Sequence, residues 1–406
     1  MRAFVRLFSL LLVSALLLPA VPANAADSGA RRVLLTPTAN PATSQYVSWS
    51  RRSAASGQKV VAVGPDGSVR TAAAVKKQGT TRRLSGSRQV RYVAQLTRLS
   101  PNSSYRYRIV TRPGSTTWRT FRTAPSTGGD FAFLQFGDTQ VRNAQIPARI
   151  IDAAVATTPS AKLLVHAGDV VNHPWVGREW SDLHAALTPS GQSKNWLTAI
   201  GNHEQCVLVK SCRSGQAQGF RSYFHGASNG YAKQRRTWFY VDYGAARFIV
   251  LDSFGNDLPR QRAFLAKALA TNAQPWSIVV MHAGPFASDS KRNNDKIRKA
   301  FLPTLEKYGA DLVLSGHDHS YARGSKAGVT YLTSVSGPKY YDSGAADWQR
   351  GGAVREVAAY RTSTYQSISV TSTELKVSAI VGHRAKGAWP QTTVGQVLDT
   401  FTLQAD

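Results

Sequence analysis

Six residues of this chain have side chains that can ligate metal ions, and each sits just past the end of an apolar run. A short stretch of strand character at 311–315 is broken by Gly316, and His317 and His319 follow two residues apart. In extended backbone, residues i and i+2 project to one face, so both imidazoles can address one point beyond the strand end. Imidazole is the commonest protein ligand for Zn, Fe and Mn-like ions. Four upstream segments are built alike: Asp138 follows Phe136-Gly137, Gly168-Asp169 follows the strand ending at His166, Gly201-Asn202-His203-Glu204 follows Ile200, and His282 follows the run 279–281. Together they offer three oxygen donors (Asp138, Asp169, Asn202) and three imidazoles (His282, His317, His319). One Asp or His at a strand end is as readily a surface residue. Five such ends in succession are not accounted for by a core or a solvated face.

The elements that must position these residues alternate in type. Apolar runs at 131–136, 162–166, 195–200, 277–281 and 311–315 read as strands, and 238–243 with 246–251 reads as a hairpin turning at Gly244. Helical patterns fall between them at 143–156, 180–187, 260–270 and 295–308. Such alternation predicts an α/β layered domain, in which the carboxyl ends of strands gather at one edge and form a site there. The tail returns to strands at 367–380 and 397–403. Ahead of a Gly/Ser/Thr-rich linker at 123–129 the pattern is all-β. Runs at 45–49, 89–94, 105–110 and 117–122 alternate apolar and polar residues, with a turn at Pro65-Asp66-Gly67 and Trp49 as a core anchor. This module (27–125) contains no histidine and two carboxylates, which excludes it as a metal site or a source of general acid.

The chain has 406 residues, 42% hydrophobic and 18% charged, enough for two globular domains with real cores. Residues 1–25 read as a secretory signal peptide: Arg2 and Arg6, an apolar stretch at 7–18, and Ala23-Asn24-Ala25 as a small-x-small cleavage site. That segment is too short for a stable bilayer anchor, and no later stretch is long and apolar enough to replace it, so a secreted, soluble protein without a transmembrane anchor is expected. The formal charge of +27 is concentrated in the N-terminal quarter, where 18 Lys and Arg in 27–125 face Asp27 and Asp66 alone. This serves solubility or electrostatic adhesion to an anionic cell-surface polymer. No base-reading motif accompanies it, so specific nucleic-acid recognition is not expected. Cys206 and Cys212 suit an oxidising compartment, where a disulfide between them would staple one short loop at a gain of about 2 kcal/mol. Metal ligation by the pair lacks further ligands.

In this order, Gly137-Asp138, Gly168-Asp169, Gly201-Asn202-His203-Glu204, Val279-x-x-His282 and Gly316-His317-x-His319 resemble the five blocks of the metallophosphoesterases, and among these the purple acid phosphatases. The β module resembles the fibronectin type III-like domain that precedes the catalytic domain in plant-type members. Its segment Leu99-Ser-Pro-Asn-Ser-Ser-Tyr105 is similar to the turn ending in that fold's corner tyrosine. The resemblance covers nearly the whole mature chain. It implies an α/β fold class, with an N-terminal β-sandwich followed by a four-layer α/β/β/α metallophosphoesterase domain over 126–406. It also implies two metal ions, Fe, Zn or Mn, bridged by Asp169. Asp138 and His319 would complete one metal, and Asn202, His282 and His317 the other. A shared carboxylate and a bridging hydroxide offset the repulsion of two cations ~3.5–4 Å apart, and the hydroxide is the in-line nucleophile. His203 would protonate the leaving oxygen or stabilise charge on the phosphoryl group. The implied function is a secreted dinuclear-metal phosphatase acting on phosphate monoesters. A phosphodiesterase or nucleotide-cleaving metallohydrolase and a non-catalytic basic binding protein are the alternatives.

The chain departs from that pattern in three places. The purple subgroup carries a tyrosine three residues after the bridging aspartate, where Asn172 stands here, so no phenolate and no purple colour are expected. Two residues after Asp138, where that subgroup has glycine, stands Gln140, a weak ligand or a hydrogen-bond partner for substrate; Asn172 can fill part of the gap. The extra histidine some members carry between the fourth and fifth blocks is missing from 283–316, which shifts the acid role to His203. Of the other histidines, His166, His184 and His383 read as structural, whereas His173 and His225 are candidates to line the cleft. Arg323 either clamps phosphate or makes a structural pair. The loop 205–236, with Lys210, Arg213, Arg221, Arg235 and Arg236, can hold a larger anion.

Overall fold

Parallel strands that are apolar on both faces must be covered on both, and that requirement decides the layering. The structure is a computed structural model that describes residues 29–77, 89–112, 114–141, 145–205, 217–230 and 237–405. The leader 1–25, Cys206, Cys212, Lys210, Arg213, Arg235 and Arg236 lie outside the described residues. The strands Phe131–Phe136, Leu163–His166 and Asn195–Thr198 pair in parallel. So do Ala246–Val250, Trp276–Val280, Leu312–Ser315 and Val329–Thr333, with Phe239–Tyr243 antiparallel beside them. The expected hairpin turns at Gly244, whose φ is 56°.

Alternation along each strand then sorts the side chains. Phe133, Leu163, Val165, Ile278, Val280, Leu312 and Leu314 meet in one core between the two sets of strands. Leu134, Phe136 and Leu164 turn the other way, toward the helices Gln145–Thr157 and Gly177–Ala186. Val279 and Val313 do the same toward the helices Leu258–Ala270 and Asp295–Lys307. The result is helix, sheet, sheet, helix: the implied four layers.

One long strand, Val354–Val370, joins the two sets, pairing with Tyr321–Lys326 in its first half and with Phe131–Phe136 in its second. It turns at 371–374 into Glu374–Trp389, and Val397–Gln404 follows. The sequence reading starts this strand only at 367. Its earlier half hides from apolar periodicity because Thr362, Ser363, Thr364 and Gln366 are buried polar residues; Ser363 Oγ donates to Gly337 O at 2.8 Å and Gln366 Nε2 to Thr364 Oγ1 at 2.8 Å.

The N-terminal module is a β-sandwich. Arg31–Pro37, Gln45–Arg51, Val90–Leu96 and Val75–Lys77 form one sheet; Val69–Ala73, Lys59–Val63, Ser104–Val110 and Arg119–Arg122 form the other. Between them Trp49 stacks on Tyr92, with ring centroids 5.7 Å apart, among Val47, Val60, Tyr107 and Ile109. The corner tyrosine behaves as the resemblance implies: Ser100 N donates to Tyr105 Oη at 2.7 Å. Nothing in the sequence shows how the two parts join. Leu35 pairs in parallel with Asn195, so the first sheet of the sandwich continues the sheet of the second part edge to edge. Among the described residues no helix is long and apolar enough to cross a membrane.

Gln45 locks this seam. Its buried Nε2 donates to Asn195 Oδ1 at 2.7 Å and to Thr36 O at 2.9 Å. Gln45→Leu leaves those acceptors dry and unpaired, a cost of about 2 kcal/mol, and is expected to lower the melting temperature by a few degrees in calorimetry. An unchanged melting temperature would show that the seam does not depend on this side chain.

Candidate metal centre

Both sets of parallel strands end on one edge of the layered core, and the six strand-end donors meet there. His282 Nε2 is the hub. It lies 3.1 Å from Asp169 Oδ2, 3.1 Å from Asn202 Oδ1, 3.3 Å from His317 Nδ1 and 3.9 Å from Asp138 Oδ1. His319 Nε2 stands 3.5 Å from Asp138 Oδ1. Ligand atoms of Asp169, His282 and His317 all fall within 4.8 Å of one another.

The backbone turns sharply to aim them. Asp138 (φ 46°), Gln140 (37°), Asp169 (55°), His317 (74°) and His319 (51°) all adopt left-handed conformations. A continuing strand would send successive side chains to opposite faces; a left-handed step folds the chain back over the strand ends instead, at about 1–2 kcal/mol per residue. Two of the neighbouring glycines are explained by space. A Cβ on Gly201 would lie 2.0 Å from Asp169 Oδ1, and one on Gly316 would lie 2.2 Å from Asp138 Oδ2.

Each donor is also fixed from behind. His317 N donates to Asp138 Oδ2 at 2.6 Å and His203 N to Asp169 Oδ1 at 2.9 Å, so each carboxylate keeps one oxygen facing inward. His282 Nδ1 donates to Ala167 O at 2.8 Å and His319 Nδ1 to Lys339 O at 3.0 Å, which leaves both Nε2 atoms to act as ligands. Glu204, buried at the start of the helix Asn202–Gln205, accepts from Gly201 N, Asp169 N and Val171 N at 3.0, 3.0 and 3.1 Å and ties two of the loops together.

Electrostatically the cluster sets two buried carboxylates against one strongly basic imidazole. Burial, and then the neighbouring Asp169 carboxylate, push Asp138 up to about 7, against the pull of His282. Burial raises Asp169 too, but His282 and His203 outweigh it and hold that carboxylate well below the usual range. His282 loses to burial yet gains more from Asp169 and Asp138, and rises to about 9. His319 is pushed down to about 3 by burial and by Lys339. Asp138 Oδ1 is buried without a hydrogen-bond partner. An orphaned carboxylate oxygen and two imidazole nitrogens in contact, within a mixed oxygen and nitrogen donor set, fit bound cations.

The other expected residues separate into two groups. Gln140 joins the cluster, its Nε2 donating to Asp169 Oδ2 at 3.0 Å, with its Oε1 buried and unpaired. His203 flanks it, with Nε2 3.7 Å from Asp169 Oδ2 and Nδ1 donating to Asn172 O at 2.6 Å. Asn172 therefore reaches the site through its backbone, while its carboxamide lies 2.8–2.9 Å from the His173 ring nitrogens. His173 itself pairs with Glu179 at 2.7 Å and its side chain is 39% exposed. The phosphate-clamping reading of Arg323 is corrected. After His319 the chain enters the strand Tyr321–Lys326, where Tyr321 and Arg323 share a face turned to the C-terminal strands. Arg323 is committed there to Asp399 and Glu356. His225 lies at the seam against Tyr46, not in the cleft.

Sequence reasoning missed the rim. Phe254 sets its ring 5.0 Å from His317. Arg292 donates to His317 O and to Asp318 Oδ1, and Tyr341 lies 4.5 Å from His319 and under Arg292. These come from irregular loops without periodicity, so only Glu204, inside the Asn202 block, had a readable signal.

Residues 131–321 match the family model described as calcineurin-like phosphoesterase, and residues 30–123 match that of the purple acid phosphatase N-terminal domain. The chain carries a calcineurin-like metallophosphoesterase domain behind a purple acid phosphatase N-terminal domain. An uncharacterized protein of Mycobacterium tuberculosis is 29% identical over 266 residues, covering 57% of this chain and 50% of the relative. "Probable inactive purple acid phosphatase 27" of Arabidopsis thaliana is 24% identical, covering 57% and 43%. A nucleotide pyrophosphatase/phosphodiesterase of Hordeum vulgare is 24% identical, covering 72% and 89%. The chain spans about half the length of the first two. In fold it is similar to the purple acid phosphatase PPD1 from yellow lupin seeds, with a TM-score of 0.73 at 16% identity over 93% of this chain and 75% of that one.

If space beside the carboxylates is what the glycines provide, Gly316→Ala will displace Asp138 and Gly201→Ala will displace Asp169. Each is expected to lower metal affinity at least about tenfold, read by elemental analysis after dialysis, with little change in circular dichroism. Full metal retention by both would contradict this account of the glycines.

Proposed function

We propose that the chain is a secreted dinuclear-metal phosphatase that hydrolyses phosphate monoesters. The observation that carries this reading is the meeting of Asp138, Asp169, Asn202, His282, His317 and His319, with Asp138 Oδ1 buried and unpaired among them. Two ions of Fe, Zn or Mn bound by these residues would supply Lewis-acid polarisation of a phosphoryl oxygen and an activated water as nucleophile. In this reading His282, Asn202 and His317 would hold one ion, Asp138 and His319 the other, and Asp169 would serve both; the contacts of His282 Nε2 with Asp169, Asn202 and His317 and of His319 with Asp138 support it. The neutral Asn202 keeps the summed ligand charge low, which preserves attraction for a phosphate dianion. His203 is held by Asn172 O at Nδ1, so its Nε2 points past Asp169 toward the cleft. Its side chain is 17% exposed, open enough to meet a leaving oxygen and donate a proton to it. Phe254 keeps one wall of the site apolar.

One comparison favours a second reading, phosphodiester or nucleotide cleavage: the barley relative is matched over 89% of its length. The non-catalytic reading finds support in the name of the Arabidopsis relative, but this chain retains all six donors. Export through residues 1–25, the division into 27–125 and 126–406, and adhesion of the basic N-terminal module to an anionic cell-surface polymer complete the proposal.

The purified chain, reconstituted separately with each metal, is to be assayed with para-nitrophenyl phosphate and its bis-ester. Faster turnover of the monoester is expected, and preference for the bis-ester would replace the phosphatase reading by the phosphodiesterase one. Asp169→Asn should lower kcat/KM about 1,000-fold or more. His203→Gln should lower kcat about 100-fold while metal content stays intact. Undiminished turnover in Asp169→Asn would rule out the mechanism.

A further inference from the structure

The seam between the two parts holds positive charge that, among the described residues, no carboxylate pairs with. Val90, Tyr92, Ala94 and Leu96 face the core of the sandwich, so Arg91 faces the opposite way, toward the helices Gly177–Ala186 and Gln218–Tyr223. It is only 3% exposed, and none of its three guanidinium nitrogens has a hydrogen-bond partner. Its guanidinium lies 3.9 Å from the centroid of the Tyr223 ring, whose other face stacks on Trp180.

Arg32 approaches the same ring to 5.7 Å and hydrogen-bonds Tyr223 Oη and Ser181 Oγ. A left-handed turn at Arg32, φ 52°, accompanies the register shift that puts it there. His184, buried in the helix behind, adds an Nε2 that also has no partner. Burial, then Arg32 and Arg91, hold this imidazole well below its ordinary range.

Among the described residues no carboxylate pairs with Arg32, Arg91 or His184. The chain outside them contributes only Asp27 and Asp406 as acids. A guanidinium keeps its proton at any physiological pH, and burying it unpaired is costly. Stacking on Tyr223 offsets part of that cost and supplies no acceptor.

We propose that Arg91, Arg32 and His184 form a binding site for one small oxyanion, inorganic phosphate or its like, between the N-terminal sheet and the two helices. A tetrahedral oxyanion presents several acceptors at once and matches the planar fork of Arg91. The depth of Arg91 excludes a polymer strand or a membrane surface as the partner. This site is separate from the metal centre and does not depend on the phosphatase reading. It gives the basic N-terminal module a specific role, because with the anion in place strand Val90–Leu96 is clamped to the helix Gln218–Tyr223.

The test uses the full chain stripped of metal with a chelator, so that phosphate finds no cations at the strand-end cluster. Melting temperature is followed as inorganic phosphate replaces chloride at constant ionic strength. A saturable rise of about 3 °C or more is expected for the wild-type chain and for Asp169→Asn. Arg91→Met should lose it. Arg91→Lys, which keeps the charge without the fork, should need at least about tenfold more phosphate for the same rise. Equilibrium dialysis with labelled phosphate should find one ion per metal-free chain. A flat wild-type response, or an unaltered response in both Arg91 variants, would overturn the proposal. So would a larger rise with long-chain polyphosphate than with phosphate, because a buried site cannot admit it.

Discussion

Two carboxylates with little access to water, Asp138 and Asp169, sit at the same edge of the layered core, and the structure around them is arranged to make that tolerable. Each has one oxygen held by a backbone N–H from another strand-end loop. Each has its other oxygen turned inward toward imidazoles. Burial and mutual repulsion oppose this, and His282, raised by Asp169 and Asp138 against its own burial, offsets part of it. The site is therefore built around a deficit of positive charge, which is the condition under which cations bind.

That deficit accounts for features that otherwise look unrelated. The left-handed backbone at five cluster positions costs free energy, and nothing in the local sequence favours it. It persists because the strands below are locked by three apolar cores, one between the sheets and one under each pair of helices. Glu204 takes up three backbone donors from two loops whose turns leave them without strand partners. The layers provide rigidity, and the strand ends spend part of it on geometry.

The seam between the parts follows the opposite rule. There the basic module meets helices through Arg32 and Arg91, stacked on one tyrosine and lacking an acid. At the strand-end cluster two carboxylates lie together; at the seam two guanidiniums lie against one tyrosine ring. Asp138, Asp169 and Arg91 are buried and Arg32 is half-buried, so both places concentrate charge away from water.

The sequence by itself determined the alternation of strands and helices, the all-β character of the first module, and which six polar residues stand at the strand ends. These are local properties: a period of two, a glycine break, a polar residue directly after it. Tertiary structure alone decided what those residues face. Arg323 follows the last block as a phosphate-binding residue would, yet strand pairing turns it to Asp399. Asn172 holds the His203 ring through its carbonyl while its carboxamide lies against the His173 ring. Arg292, Tyr341 and Phe254 reach the rim from loops with no periodicity, and Arg91 becomes a buried charge only because Leu35 pairs with Asn195 and brings two helices over its face. Which group lies against which is fixed by contacts between segments far apart in the chain, and no local pattern carries that information.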